Sequence, residues 1–244
     1  MSRVKAAFFS MTPRPHPDDD GSYLRWHLLD HMPEQYQLPG MILGTRWSVD
    51  DELAHLRIAA QPSFEHLGGV VNYLIGDPVQ ATHDAFLALG RSLAEIGRFP
   101  ERRPSLGLEM LAVRGREAAP SAMVSAEVVP FRPHRGIIFV LEELPREETR
   151  QWDTWLETEH VPHLLRTPGV AGVWSFGPGR GWNLGPGIGT QPRRVTVVYL
   201  DRDPGQSTGE LRGAIEERWR GDFVRPLFAG PLRSMVRWEA WPED

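Results

Sequence analysis

The sequence predicts an α+β fold in which two tandem ferredoxin-like βαββαβ repeats pack sheet to sheet as an intramolecular α+β barrel. Three observations predict it. A shift of 129 residues superimposes Tyr23 on Trp152, Trp26 on Trp155, Asp30 on Glu159, His31 on His160, Pro33 on Pro162 and Pro39-Gly40 on Pro168-Gly169, and self-similarity of this kind marks a repeated structural unit. Each copy also reads in the order strand, helix, strand, strand, helix, strand, which is the split βαβ pattern. Finally, 244 residues suffice for two units of about 120 residues. A four-stranded sheet with helices on one face needs cover on the other, and two such sheets can cover each other.

In the first repeat "VKAAFFSM" is an apolar and aromatic run of strand length. Tyr23, Trp26 and Leu29 follow at helical spacing, Pro39-Gly40 stops that helix, and "MILGTRW" and "GGVVNYLI" supply two more strands. Asp77-Pro78 opens a second helix carrying Val79, Phe86, Leu93 and Ile96, and "LEMLAVRG" closes the repeat. The second repeat runs through "GIIFVLEEL", a helix with Trp152, Trp155 and Leu156, then "VAGVWSF" and "RRVTVVYL". Its last helix is expected from "STGE", where Ser207 and Glu210 fit a capping box, and its last strand from "SMVRWEAW". The same alignment sets Phe8 and Phe9 on Ile137 and Ile138. A shift of 126 matches "YLIGDP" with "YLDRDP", equating Tyr73 with Tyr199. The repeats are therefore residues 1–118 and 135–244. Residues 119–134, rich in small residues and proline, join them and are expected to add an edge strand through "MVSAEVV".

Composition narrows the chemistry. The chain has no cysteine, which removes disulfides, thiolate nucleophiles and Cys-containing zinc sites. A net charge of −5 with basic residues spread along the chain gives no footprint for nucleic acid. No apolar run approaches the ~18–20 residues that span a bilayer, and the start does not read as a signal peptide. A soluble, cytoplasmic protein with a small-molecule partner is expected.

His31 and His160 each stand two residues before a proline, so the carbonyls of Leu29 and Thr158 lose their helical donors and the helix is expected to weaken or kink. A histidine there can cap a freed carbonyl. Alternatively, near the negative end of a helix and titrating around neutrality, it can act as an acid or base. Repetition does not choose between these. The second copy offers more, because Glu157 and His163, three residues either side of His160, share its face if the helix continues. The first copy instead places His27 and His31 four apart, a spacing that can bind a metal, but no third ligand is evident and no metal site is expected. Trp26 and Trp155 read first as core anchors. The glycine-rich stretch from Phe176 to Arg193 joins strand to strand without a Gly-Lys-Ser/Thr ending, so it reads as a hairpin or lid carrying Trp182 rather than a phosphate loop. Tyr73 and Tyr199 are expected to face the space between helix and sheet.

The two motifs, "YLRWHLLDHMPEQYQLPG" and "WDTWLETEHVPHLLRTPG", resemble the EthD-like branch of the dimeric α+β barrel superfamily, and the resemblance spans nearly the whole chain as two fused copies. Such barrels usually form from two chains; the fusion implies that this chain makes its own, with a homodimer of the fused barrel as a further expectation. Members include polyketide cyclases, muconolactone-type isomerases, dehydratases, cofactor-free monooxygenases acting on aromatic substrates and several haem proteins. The resemblance implies a pocket between helices and sheet in each half, with the motif histidine as acid or base. The leading expectation is a cofactor-independent lyase, cyclase, dehydratase or isomerase that moves a proton on a hydrophobic, aromatic or polyketide-like carbonyl compound. His160, or His31 in the other copy, would be the base, Glu157 its orienter and Tyr199 the donor to the enolate oxygen. His163, Trp182, Trp155, Tyr73 and Tyr23 would line the substrate. The alternatives are a haem-binding oxygenase or peroxidase-like protein with an axial histidine, and a non-catalytic small-molecule-binding protein.

Overall fold

Eight long strands close into an antiparallel barrel, and the helices of each repeat lie against its outside. A computed structural model describes residues 3–16, 21–99, 105–144, 150–179, 181–182, 191–220 and 223–235. The strands are β1 (Ala6–Pro13), β2 (Met41–Ser48), the short β3 (Ala59–Ala60), β4 (Leu67–Ile75), β5 (Gly107–Ala118), β6 (Gly136–Glu143), β7 (Val170–Gly177), β8 (Arg193–Leu200) and β9 (Arg225–Ser234). The helices are α1 (residues 22–35), the one-turn α2 (Asp51–Ala54), α3 (Val79–Glu95), α4 (residues 150–165) and α5 (Pro204–Glu217). Neighbouring strands run β2-β4-β1-β5-β7-β8-β6-β9, and β9 returns to β2 through Trp47↔Ser234 and Ser48↔Arg233. Each half thus keeps the same internal strand order. The seams between halves are β5 with β7 and β9 with β2.

Because successive side chains point to opposite faces of a strand, the barrel wall sorts its residues into two sets. Phe9, Met11, Leu74, Phe139, Trp174, Phe176, Val197, Tyr199 and Phe228 fill the interior. Phe8, Val71, Tyr73, Ile75 and Met110 point outward under α1 and α3, as Ile138, Val140, Val198 and Leu200 do under α4 and α5. This corrects the alignment of the repeats. Phe8 pairs with Tyr73 and Ile138 with Val198, while Gly44 and Val173 pair with Tyr73 and Val198 respectively. Tyr73 therefore corresponds to Val198 and Phe8 to Ile138. The match of Tyr73 with Tyr199 is one residue out of step, and a slip of one residue reverses the face.

Three other expectations change. Residues 119–134 add no edge strand: they form 3-10 turns at Pro120–Ala122 and Val129–Phe131, because the chain there packs across the barrel mouth rather than along an edge. The indole of Trp174 donates to the Ala126 carbonyl at 2.9 Å, and the His134 ring lies between the Val129 carbonyl (2.6 Å) and Asp201 (3.1 Å). The last strand precedes the expected "SMVRWEAW", of which residues 236–241 lie outside the described residues. Prolines disguise it. Pro226 sits at a bulge against β6, and Pro231 shares its parity with Leu227 and Ala229, whose carbonyls face β3, so its missing N–H is not needed by β6. Lastly, α5 starts at Pro204 with Asp203 as N-cap, accepting from the Gly205 and Gln206 N–H groups, and not at the Ser207 capping box. In the first repeat α3 starts at Val79 with Pro78, not Asp77, at the cap.

Trp174 is fully buried and ties the inter-repeat connection to the barrel. Trp174→Ala is expected to cost about 3–5 kcal/mol, as for other buried large-to-small changes. Urea denaturation followed by circular dichroism measures it.

Candidate functional site

Both histidine motifs fold into the same uncommon element. The middle of α1, His27–His31, and the middle of α4, Leu156–His160, are π-helical: the Met32 N–H bonds the His27 carbonyl and the Val161 N–H bonds the Leu156 carbonyl, five residues back. Pro33 and Pro162 explain this. A proline supplies no N–H to the turn before it, and widening that turn by one residue shifts the hydrogen-bond register past the gap. The helix swells where a break or kink was expected. A widened turn also brings residues five apart over one another, so the Trp26 indole stacks on His31 (4.7 Å between ring centres, 14° between planes) and Trp155 covers His160 (4.9 Å, 31°). Trp-x4-His-x-Pro is therefore one stacked structural unit, present twice. Trp26 and Trp155 are only half-buried; the fully buried helix indole is Trp152.

The same turn disperses the constellation expected around His160. Glu157 and His163 are both exposed, and no hydrogen bond joins Glu157 to the imidazole. Tyr199 lies inside the barrel, with His134 4.9 Å away and Asn72 as its polar neighbour, and burial pushes its hydroxyl up. Its strand neighbours Val198 and Leu200, not Tyr199, face α4. His160 itself is 2% exposed. Burial, then Arg218 and His163, push it down to about 2.

The space beside His160 is filled with paired charges. Arg218 grips Glu142 through Nε (2.9 Å) and Nη2 (2.6 Å) and reaches Thr196 Oγ1 at 3.1 Å, while Trp219 Nε1 donates to the same carboxylate at 2.8 Å. Arg194 pairs with Asp153, and both guanidinium groups lie over the Trp152 ring, at 4.8 and 5.4 Å. His160 Nε2 is buried without a hydrogen-bond partner, with Trp155 over one face of the ring and Arg218 near enough to act on it electrostatically.

The first repeat is built differently. Against the outward face of β1, β2 and β4 stand His27, Arg46 and Tyr73, walled by Phe8, Phe86 and Tyr23. Tyr73 is 2% exposed and lies across Gly44, where a Cβ would come within 2.9 Å of its ring; its hydroxyl has no hydrogen-bond partner. Burial, and then Tyr36, push that hydroxyl up, so it stays a phenol and a donor. His27 is buried with Nδ1 unpartnered. Burial, then Arg46 and His31, push it down to about 3. Arg46 lies 5.6 Å from the Tyr23 ring centre. His31 keeps partial exposure, with Gln35 Nε2 3.4 Å from its Nε2 and Phe99 edge-on at 5.4 Å. Trp182, arriving from the second repeat, packs on this cluster and not on His160; residues 180 and 183–190 of its loop lie outside the described residues.

Of the residues expected to act together, the fold gathers His31, Tyr23, Tyr73 and Trp182 in the first repeat. It turns Tyr199 into the barrel away from His160 and leaves Glu157 exposed, while His163, also exposed, stays near enough to act on His160 electrostatically. Arg46 was missed, although an arginine on the outward parity of the apolar strand "MILGTRW" is a legible signal. From sequence His27 stands out only as half of a possible metal pair. Two open surface grooves are present, one along Ser22, Arg25, Trp26, Leu29 and Asp30 on α1, where Trp26 is the indole stacked on His31, the other around Arg3, Lys5, Met41 and Asp77.

No protein-family model and no curated protein matches the chain. Solved structures do. An anthrone oxidase-like protein shares 11% identity over 97% of this chain and 94% of its own, with a TM-score of 0.57. A provisionally assigned chlorite dismutase shares 12% over 95% and 96%, with a TM-score of 0.55. A provisionally assigned monooxygenase from Fusobacterium nucleatum shares 10% over 97% and 94%, with a TM-score of 0.51. These likenesses define the dimeric α+β barrel fold, here built from one chain, and carry no chemistry with them.

Two outcomes follow for the buried charges. Glu142→Leu leaves Arg218 uncompensated and is expected to cost about 3–5 kcal/mol, whereas Glu142→Leu with Arg218→Met costs far less; urea melts of the two variants compare them. His160 and His27 hold depressed values when folded and return to 6.5 when unfolded. Below that pH the unfolded chain binds protons that the folded chain refuses, so stability is whole above about pH 6.5 and falls as pH drops toward 3. His160→Leu is expected to remove about 1.4 kcal/mol per pH unit from that slope between about pH 6 and 4, read from melts across the range.

Proposed function

We propose that the first repeat houses the working pocket of a cofactor-independent acid–base enzyme of the EthD-like branch. It takes a small aromatic or polyketide-like carbonyl compound and moves a proton on it. The observation that carries this reading is that two unpartnered buried atoms, Tyr73 Oη and His27 Nδ1, each lie within electrostatic reach of Arg46, among the rings of Phe8, Phe86 and Tyr23. His160 Nε2 is also unpartnered, but beside Arg218, which already holds Glu142. Leaving a buried polar group unsatisfied costs about 1–3 kcal/mol, and a ligand oxygen and hydroxyl would satisfy both.

The roles follow from protonation. Tyr73, held as a phenol, donates to the substrate carbonyl and strengthens that bond as the oxygen becomes an enolate. His27 is held neutral and is too weak a base at neutral pH to take a carbon-bound proton, so it accepts a hydrogen bond and orients the substrate. His31, 5.8 Å away between ring centres, is open enough to exchange protons with solvent and serves as the base. Trp182 and Phe86 supply apolar contact to the ring system.

Exchange of the enolisable C1 protons of 2-tetralone in D2O, followed by NMR, tests this. Wild-type protein is expected to exceed buffer, His31→Ala to lose about 10²–10⁴-fold and Tyr73→Phe about 10²–10³-fold, while His160→Ala, if folded, keeps the rate. No exchange above buffer with 2-tetralone or related aromatic ketones sinks the reading.

A further inference from the structure

Among the described residues Arg46 has no carboxylate partner. From β2 its Nη2 donates to Thr12 Oγ1 at 3.3 Å, its plane faces Tyr23, and Nη1 is sealed from solvent without an acceptor. The two acids of α1, Asp30 and Glu34, are both held by Arg98.

The second repeat serves as an internal control. Thr12 on β1 pairs with Gly69 on β4, and Glu142 on β6 pairs with Arg194 on β8, so Thr12 and Glu142 hold the same place in the two copies, as do Gly69 and Arg194. Every cation in the second pocket has its carboxylate: Glu142 for Arg218 and Asp153 for Arg194. In the first pocket the Glu142 position is a threonine and the Asp153 position is Leu24. The Arg194 position is Gly69, where an added Cβ would crowd Thr12 Oγ1 at 3.0 Å and Arg46 Nη2 at 3.4 Å. One copy therefore carries its anion in the chain; the other presents a guanidinium that has no carboxylate among the described residues, with a threonine and a glycine where the second copy places Glu142 and Arg194.

We infer that the ligand of the first pocket is an aromatic carboxylate, whose carboxyl group seats against Arg46 where the second repeat holds Glu142. A carboxylate suits the position because a guanidinium offers two parallel N–H donors to it; Nη1 is unused and Nη2 has only a hydroxyl. The ring then lies among Tyr23, Phe8 and Tyr73. This names the substrate class for the proposed function and rests on that pocket taking an aromatic ligand.

Calorimetric titration of the full chain with 2-naphthoate and with uncharged 2-naphthalenemethanol tests it without any variant. Naphthoate is expected to bind about 10- to 100-fold more tightly than the alcohol, the range of one charge-assisted contact. Arg46→Met should lose that preference while still binding the alcohol, and Thr12→Glu, which supplies the carboxylate from within, should lose naphthoate binding; circular dichroism checks both for fold. Equal affinities for the two probes in the wild-type protein overturn the inference and leave the aromatic pocket standing. So does a preference that survives Arg46→Met. If neither probe binds, the inference and the pocket reading both fall.

Discussion

The alternation of side chains across the barrel wall governs everything else in this molecule. Each strand offers one parity to the closed interior and the other to the helices, and only the outward parity can build a pocket with α1 or α4. Phe9 and Phe139 belong to the first set, Phe8 and Ile138 to the second. The position of a functional residue is therefore settled by a single odd-or-even choice. Tyr73 meets α1 because it faces outward; Tyr199 cannot meet α4, because it faces in.

A second constraint acts along the helices. Pro33 and Pro162 forbid an ordinary turn, the π turn takes its place, and the turn in turn fixes which side chains meet. Trp and His five apart become a stack, while a carboxylate three residues before the histidine is carried away to solvent. The duplicated motif is in this sense a device for holding an imidazole against the sheet side of the helix under an aromatic cover. Whether that imidazole does chemistry depends on what the sheet presents to it, and there the two copies part: Tyr73 with Arg46 in one, Glu142 with Thr196 in the other.

The architecture was legible because duplication and strand-length apolar runs are properties of the chain itself. The repeat, the order of elements and the barrel all follow from them. What was not legible depends on loop length and on backbone geometry. The connection from β2 to β4 carries α2 and β3 and is longer than that from β7 to β8, so a match of "YL" with "YL" aligned residues of opposite facing. The prolines of β9 hid a strand whose partners happen not to need those N–H groups. Glu157 looked like an orienter only on an ordinary helix. Arg46 is hard to read for a different reason: repetition marks the histidines, whereas Arg46 is a residue that the other copy lacks, with Ser175 in its place.

That asymmetry is what fusion permits. A barrel assembled from two identical chains repeats every substitution in both of its pockets, so a residue that closes one closes the other. In a single chain the copies change separately. The second fills its helix–sheet space with a buried Arg218–Glu142 pair whose desolvation is offset by four hydrogen bonds and one ring contact drawn from β6, β8, α4 and the residues just after α5. Such a pair needs no ligand and fixes how the last helix sits on the sheet. The first has kept its glycines at 44 and 69 and its unpaired donors, an arrangement that lowers stability unless something from outside completes it. The half whose cations are paired within the chain thus contributes to holding the barrel, while under the proposed reading the other half bears the cost of an unpaired cation among aromatic rings, the division of labour expected when stability and binding draw on the same few buried positions.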